Sequence, residues 1–186
     1  MLHWTRVVGV FTAVLAVVGL IQAWAFVESE RAFVMVAVTG FGPNGFAANK
    51  KFDIVLTVQN GGRSPAFITA VSARPYIGNS LPDVPVYARP NGRNGTGAMP
   101  AGGARSVSIW EPAKGNAGVW IDDYNYELIN SGAAFLYVFG FLTYKDDFSI
   151  VGQRTVGFCQ VYDPKNTRGL GTFADCPDAD KYIFMR

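Results

Sequence analysis

From Val7 to Val27 the chain reads VVGVFTAVLAVVGLIQAWAFV, 21 residues without an Asp, Glu, Lys or Arg. No other feature restricts the fold as tightly. Coiled as a helix, such a run would reach about 31 Å, against a bilayer hydrocarbon core about 30 Å thick. A helix pairs every backbone N–H and C=O internally, as lipid demands. Trp4 and Trp24 stand near its two ends, where indole rings favour the membrane interface. Arg6 precedes the run, and Glu28 and Glu30 come after it. Retention of positive charge in the cytoplasm predicts a short N-terminus inside and the remainder outside. A second reading makes Met1 to Arg6 the n-region of a signal peptide and Val7 to Ile21 its apolar core. Ala23-Trp24-Ala25 is then the small-x-small cleavage site and Phe26 the first mature residue. Both readings export the rest of the chain. The expected organisation is a membrane anchor or uncleaved signal over residues 1–29, contacting the bilayer through 7–27, and an extracytoplasmic domain over 30–186. The expected place is a bacterial inner membrane, crossed once, with the domain in the periplasm.

Beyond Arg31 the hydrophobic period shortens. Ala32 to Val38 is AFVMVAV, short, apolar and β-branched. Lys51 to Gln59 alternates, with Phe52, Ile54, Leu56 and Val58 on one side and Asp53, Thr57 and Gln59 on the other, the pattern of a half-buried strand. Asn60-Gly61-Gly62 then supplies turn chemistry. Further strands are expected over Ala66 to Ala73, closed by Arg74-Pro75, and over Arg105 to Trp110, Gln153 to Tyr162 and Lys181 to Met185. Val119 to Ile129 and Ala133 to Tyr144 read as two long strands of a hairpin about Asn130-Ser131-Gly132. No stretch after residue 30 shows a convincing helical stripe. The predicted fold is mainly β: an antiparallel, immunoglobulin-like sandwich behind one N-terminal transmembrane helix, with a small closed barrel as the alternative. Asn79 to Gly103, rich in Pro and Gly, reads as a long surface loop with a short edge strand near Val84 to Tyr87.

Composition narrows the chemistry. Sixteen basic and 14 acidic residues leave a formal charge of +2, too little for a nucleic-acid footprint. His3 is the single histidine and lies before the apolar run. The exported part is therefore without the usual general base, the usual partner of a Ser or Cys nucleophile, and the commonest metal ligand. No catalytic residue, metal site or cofactor is expected, and the domain is not expected to be an enzyme.

Cys159 and Cys176 are the two cysteines. In an oxidising compartment they predict a disulfide, worth about 3 kcal/mol by loop-closure entropy. Asp175, Asp178 and Asp180 cluster in DCPDAD and are the candidates for a cation site, though they lack the glycine and distal Glu of an EF-hand loop. At Asp122-Asp123 and Asp146-Asp147, adjacent strand residues point to opposite faces, so neither pair converges. Tyr124, Tyr126, Tyr137 and Phe139, on the two long strands, fill the core or present an interaction surface. Ala133 to Leu142 is apolar at nearly every position, so both its faces need a cover, from this domain or from a partner protein.

Three short motifs carry a resemblance. They are Glu30-Arg31-Ala32-Phe33-Val34 after the apolar run, Asn60-Gly61-Gly62-Arg63-Ser64-Pro65-Ala66 after a strand, and Tyr144-Lys145-Asp146-Asp147-Phe148 followed by Arg154-Thr155 and Phe158-Cys159. Together they resemble a broad group of uncharacterised bacterial membrane proteins with an N-terminal transmembrane helix and a β-sandwich ectodomain. Ser149 stands where a glycine is common in the group. The resemblance implies fold and topology and assigns no activity. In structural terms, Asn60 would cap its turn, Gly61 and Gly62 would supply positive φ, Pro65 would fix re-entry, and Tyr144 and Phe148 would staple a hairpin whose aspartates face water. The expected role is a non-enzymatic, membrane-anchored interaction module with an unidentified membrane or envelope protein as partner. A small-ligand or calcium-binding domain is the alternative.

Overall fold

The computed structural model describes residues 2–43, 45–87, 96–109, 119–148, 152–164, 173–177 and 179–186. In chain order its elements are α1 (Leu2–Glu30), β1 (Val34–Phe41), β2 (Lys50–Phe52), β3 (Ile54–Asn60), β4 (Ala66–Gly78), β5 (Gly97–Met99), β6 (Ala104–Ile109), β7 (Val119–Ile121), α2 (Asp123–Ser131), β8 (Phe135–Asp146), β9 (Arg154–Tyr162) and β10 (Phe173–Asp175). The fold is mainly β, with antiparallel pairing throughout. α1 contains one window long and apolar enough to cross a membrane, Val7–Glu30, and none of it is buried.

Two sheets make one core. The order is β1-β3-β6 in the smaller and β10-β9-β8-β4-β5 in the larger, while β2 and β7 form a separate ribbon. Val34, Val38, Ile54, Leu56, Val58 and Val107 from the first sheet pack with Ala66, Ile68, Val71, Leu136, Val138, Leu142, Tyr144 and Phe158 from the second. The alternation expected in Lys51 to Gln59 is realised from Ile54 onward in β3, whose even-numbered apolar positions are all buried; the expected single strand breaks at Asp53, and Lys50–Phe52 pairs with β7 instead.

Two bulges correct the phase of strands that strict alternation would leave half-wrong. In β4 the buried set runs Ala66 and Ile68, then shifts to Val71, because Thr69 is an extra residue opposite Tyr144 and Thr143. In β1 the register slips at Thr39, which lets Phe41 join the core after Val34 and Val38. An inserted residue flips which parity faces inward, and it also increases the local twist.

The structure corrects several expectations. Asp123–Ser131 is a helix, not part of a hairpin strand. Asp122 caps it by accepting from the Asn125 N–H at 2.8 Å, and Gly132 closes it in the left-handed conformation at φ 80°, donating to the Ile129 and Leu128 carbonyls. Both caps can be read in the sequence, and packing of Ile129 and Tyr126 into the main core holds a helix too short to persist alone. β4 does not stop at Arg74-Pro75 but continues to Gly78. Past Ile68 only β8 pairs with it, so Pro75, opposite Val138, withholds no N–H that a second neighbour needs. Val84 to Tyr87 is not a strand, whereas Gly97–Met99 and Phe173–Asp175 are. Lys181 to Met185 turns at Tyr182 and meets β9 through a single bridge, Met185 to Val156. Trp110, Ser149 and residues 88–95 of the long loop lie outside the described residues.

Candidate functional site

Where α1 joins the β domain, three residues, Arg31 to Phe33, separate helix from strand. They are held tightly. Ala32 is 1% exposed, and its carbonyl accepts the Tyr144 hydroxyl at 3.3 Å. The Phe33 carbonyl accepts the Gly61 N–H at 2.8 Å. Asn60, fully buried, organises the surroundings. Its Oδ1 accepts from the Gly62 N–H at 3.0 Å and the Phe33 N–H at 3.3 Å, while its Nδ2 donates to the Ser64 and Pro100 carbonyls at 2.8 and 3.2 Å. One amide thus ties the linker, the turn after β3 and the β5–β6 connection together.

Gly62 completes the fit. A Cβ there would lie 2.3 Å from the Arg31 carbonyl oxygen and 2.5 Å from the Phe33 nitrogen. The requirement is close backbone approach. Neither Gly61 nor Gly62 has the positive φ expected of it. Tyr144 is a buried strut to the linker rather than a hairpin staple. Asp146 is buried on the inner face while Asp147 is exposed, so the two carboxylates do not both face water.

Charged residues ring the same junction. Glu28 pairs with Arg31 at 2.8 Å and Arg154 at 3.6 Å, and Glu30 pairs with Arg63 at 2.9 Å. Cations at a helix C-terminus also face the negative end of its dipole. Ion pairs this exposed contribute about 0–1 kcal/mol each, so the buried hydrogen bonds and packing hold the mount and the charges orient it.

A second site lies on the outer face of the larger sheet. There Tyr137, Phe139, Cys159, Cys176, Ala179 and Tyr182 form a cluster of their own, with Tyr76, Leu81, Tyr87 and Val161 at its margin. Cys159 and Cys176 are joined, with Cα atoms 5.5 Å apart. The bond holds the C-terminal segment over β8. The segment after β4 is held too: the Tyr182 hydroxyl donates to the Pro82 carbonyl at 2.6 Å and Lys181 Nζ to the Asp83 carbonyl at 3.2 Å. Over Tyr137 and Phe139 the outer face of β8 is therefore covered from within the chain, while Phe135 stays 38% exposed. Burial pushes the phenols of Tyr87, Tyr137 and Tyr182 above their ordinary value; Arg186 opposes this at Tyr87, and Tyr76 reinforces it at Tyr137 and Tyr182.

The four aromatic residues expected to act together do not share a surface. Tyr137 and Phe139 belong to that outer cluster. Tyr126 packs toward the main core, its ring 5.3 Å from that of Phe46. Tyr124 alone is widely exposed, at 71%, because α2 turns it outward. Trp120, on β7, is also exposed, at 57%. The helical period of 123–131 was the signal that separates Tyr124 from Tyr126, since residues two apart share a strand face but not a helix face.

Of the acidic candidates, Asp175 accepts from Gln160 Nε2 at 3.1 Å, Asp180 is exposed, and Asp178 lies outside the described residues. Among the described residues no group of three or more His, Cys, Asp or Glu is arranged to hold a metal ion. Asp122 is the cap of α2, and Asp123 accepts from Asn49 Nδ2 at 2.7 Å.

No family model, curated protein or solved structure matches this chain. Its apolar N-terminal helix and mostly β domain fit the general description that the three short motifs imply.

Proposed function

We propose that this chain is a single-pass protein of a bacterial inner membrane that holds an immunoglobulin-like β-sandwich in the periplasm. Its N-terminus is cytoplasmic and residues 30–186 are the exported domain. The domain is a non-enzymatic interaction module, an accessory or scaffold subunit of a larger envelope complex.

The observation that carries the reading is the apolar helix, none of whose membrane-length window is buried, mounted through three residues on a domain that has closed its own core. So large an apolar surface on one element calls for a nonaqueous surrounding. The sandwich assignment is supported by antiparallel sheets of three and five strands that share one core, and by a chain that passes between them from β3 to β4 and from β5 to β6. The absence of histidine from residues 30–186 supports a non-catalytic role.

β1 runs from Val34, beside the mount, to Phe41, about 23 Å away at the strand rise. The β2–β7 ribbon lies at that far end, since Phe52 stands just before Ile54, the partner of Phe41. Trp120 and Tyr124 are exposed there, away from the membrane, and aromatic side chains of this kind anchor protein interfaces.

The test is extraction of the native protein in mild detergent and identification of what elutes with it. A second membrane or envelope protein is expected, and Trp120→Ala with Tyr124→Ala should release it without shifting the melting temperature. A monodisperse, partner-free species from native membranes would refute the interaction role.

A further inference from the structure

We infer that the end of the β domain from which α1 emerges rests on the headgroup layer of the bilayer that α1 crosses. The inference depends on the anchor reading of α1 and adds an orientation to it.

The mount leaves the domain little freedom to stand off. Arg31 to Phe33 are locked by Tyr144, Asn60 and the backbone of Gly62, so they do not act as a tether. Glu30 lies three residues beyond Val27, the end of the apolar run. That is about 4.5 Å along a helix, while each headgroup layer is about 5–8 Å thick. With Val27 at the hydrocarbon boundary, whatever surrounds Glu30 meets the headgroups.

The surroundings of Glu30 suit that layer. Phe33 and Met35 flank Gly61 and are 46% and 43% exposed. Phe67 is 43% exposed and stands opposite Lys145, which is also exposed. Arg154 pairs with Glu28 and lies opposite Tyr144, in the row next to Phe67 and Lys145. Arg63 reaches Glu30 with 72% of its side chain exposed. Two phenylalanines and a methionine at one end, interleaved with cations, match an interface where rings sit among the carbonyls and guanidinium and ammonium groups donate to phosphate oxygens. The carboxylates of Glu28 and Glu30 are already engaged by arginines, which limits their repulsion of phosphate.

The experiment uses the full-length, disulfide-intact protein in vesicles of phosphatidylcholine and phosphatidylglycerol. Single cysteines replace Val14, Phe33, Phe67 and Trp120 in turn and carry an environment-sensitive fluorophore. Nitroxide lipids labelled in the headgroup or deep in the acyl chain serve as quenchers. If Phe33→Cys or Phe67→Cys loses its thermal transition, Met35→Cys takes its place and the same headgroup quenching is expected of it. The expected result is loss of emission at Phe33→Cys and Phe67→Cys with the headgroup label, at Val14→Cys with the deep label, and at Trp120→Cys with neither. Quenching at Val14→Cys without any at Phe33→Cys and Phe67→Cys overturns the docked orientation and leaves the anchor standing. Absence of quenching at Val14→Cys overturns the anchor and the docking with it.

Discussion

The side-chain carbonyl of Gln160 accepts the backbone N–H of Val38, joining β9 of the larger sheet to β1 at the edge of the smaller. Its other end, Nε2, donates to Asp175 on β10. A single side chain therefore closes one seam between the two sheets and blunts an edge that would otherwise present an open donor. Replacing Gln160 with Leu leaves the buried Val38 N–H without this acceptor. A loss of about 1–3 kcal/mol is expected, read as a lower denaturant midpoint with an unchanged slope.

Asn60→Ala removes several hydrogen bonds at a site with no access to water. A loss of about 3 kcal/mol or more is expected. Asn60→Asp should fare no better, because the carboxylate cannot donate to the Ser64 and Pro100 carbonyls and would be a buried charge. Chemical denaturation of the detergent-solubilised protein checks both.

Gly61 and Gly62 make a sharp pair. A Cβ at Gly61 meets first the terminal methyl of Met35 at 3.3 Å, which can swing aside; at Gly62 it meets backbone. Gly61→Ala should be nearly neutral, whereas Gly62→Ala should cost about 1–3 kcal/mol and speed amide exchange over residues 31–34. Equal effects at the two positions would show that the linker is not clamped.

Opening the Cys159–Cys176 bond should cost about 3 kcal/mol if chain entropy governs, the bond spanning 17 residues. The double serine variant should also expose the outer aromatic cluster, seen as faster exchange along Tyr137 to Phe139 and as binding of a hydrophobic dye. A stability loss without that exposure would mean that the segment over β8 stays in place by packing alone.

Alkaline pH offers an independent probe of the same cluster. Tyr87, Tyr137 and Tyr182 hold their protons more tightly when folded than at the ordinary value of 10.0. The unfolded chain ionises first, so their contribution is complete below about pH 10 and declines as pH rises from there through the higher folded values. The melting temperature should fall over that range, and Tyr137→Phe should flatten the fall. A pH-independent melting temperature across that range would contradict burial of these phenols.

Much of this molecule is written locally. The uncharged run of Val7 to Val27 needs no tertiary contact to become α1, because length and apolarity decide it. The alternation of Ile54 to Val58 identifies β3 and its inward face, since period two belongs to strands, but it carries no sign of the break at Asp53 that sends Phe52 to β7. The Asp122 and Gly132 caps of α2 were equally local, but the apolar and aromatic content of Val119 to Ile129 masked them.

Other features had no local signal. A bulge at Thr39 or Thr69 is visible only once a partner strand sets the register. The cover of the second face of β8 was open, because it comes from Leu81 to Tyr87 and from the segment held by Cys176. Gly62 looked like a turn glycine, and only the chain at Arg31 to Phe33, packed against it from far away in sequence, shows that space was the constraint. Hydrophobic period and capping act over a few residues and can be read from them. Register, burial of a second face and backbone clearance are relations between distant segments, and those arise only when the chain has folded.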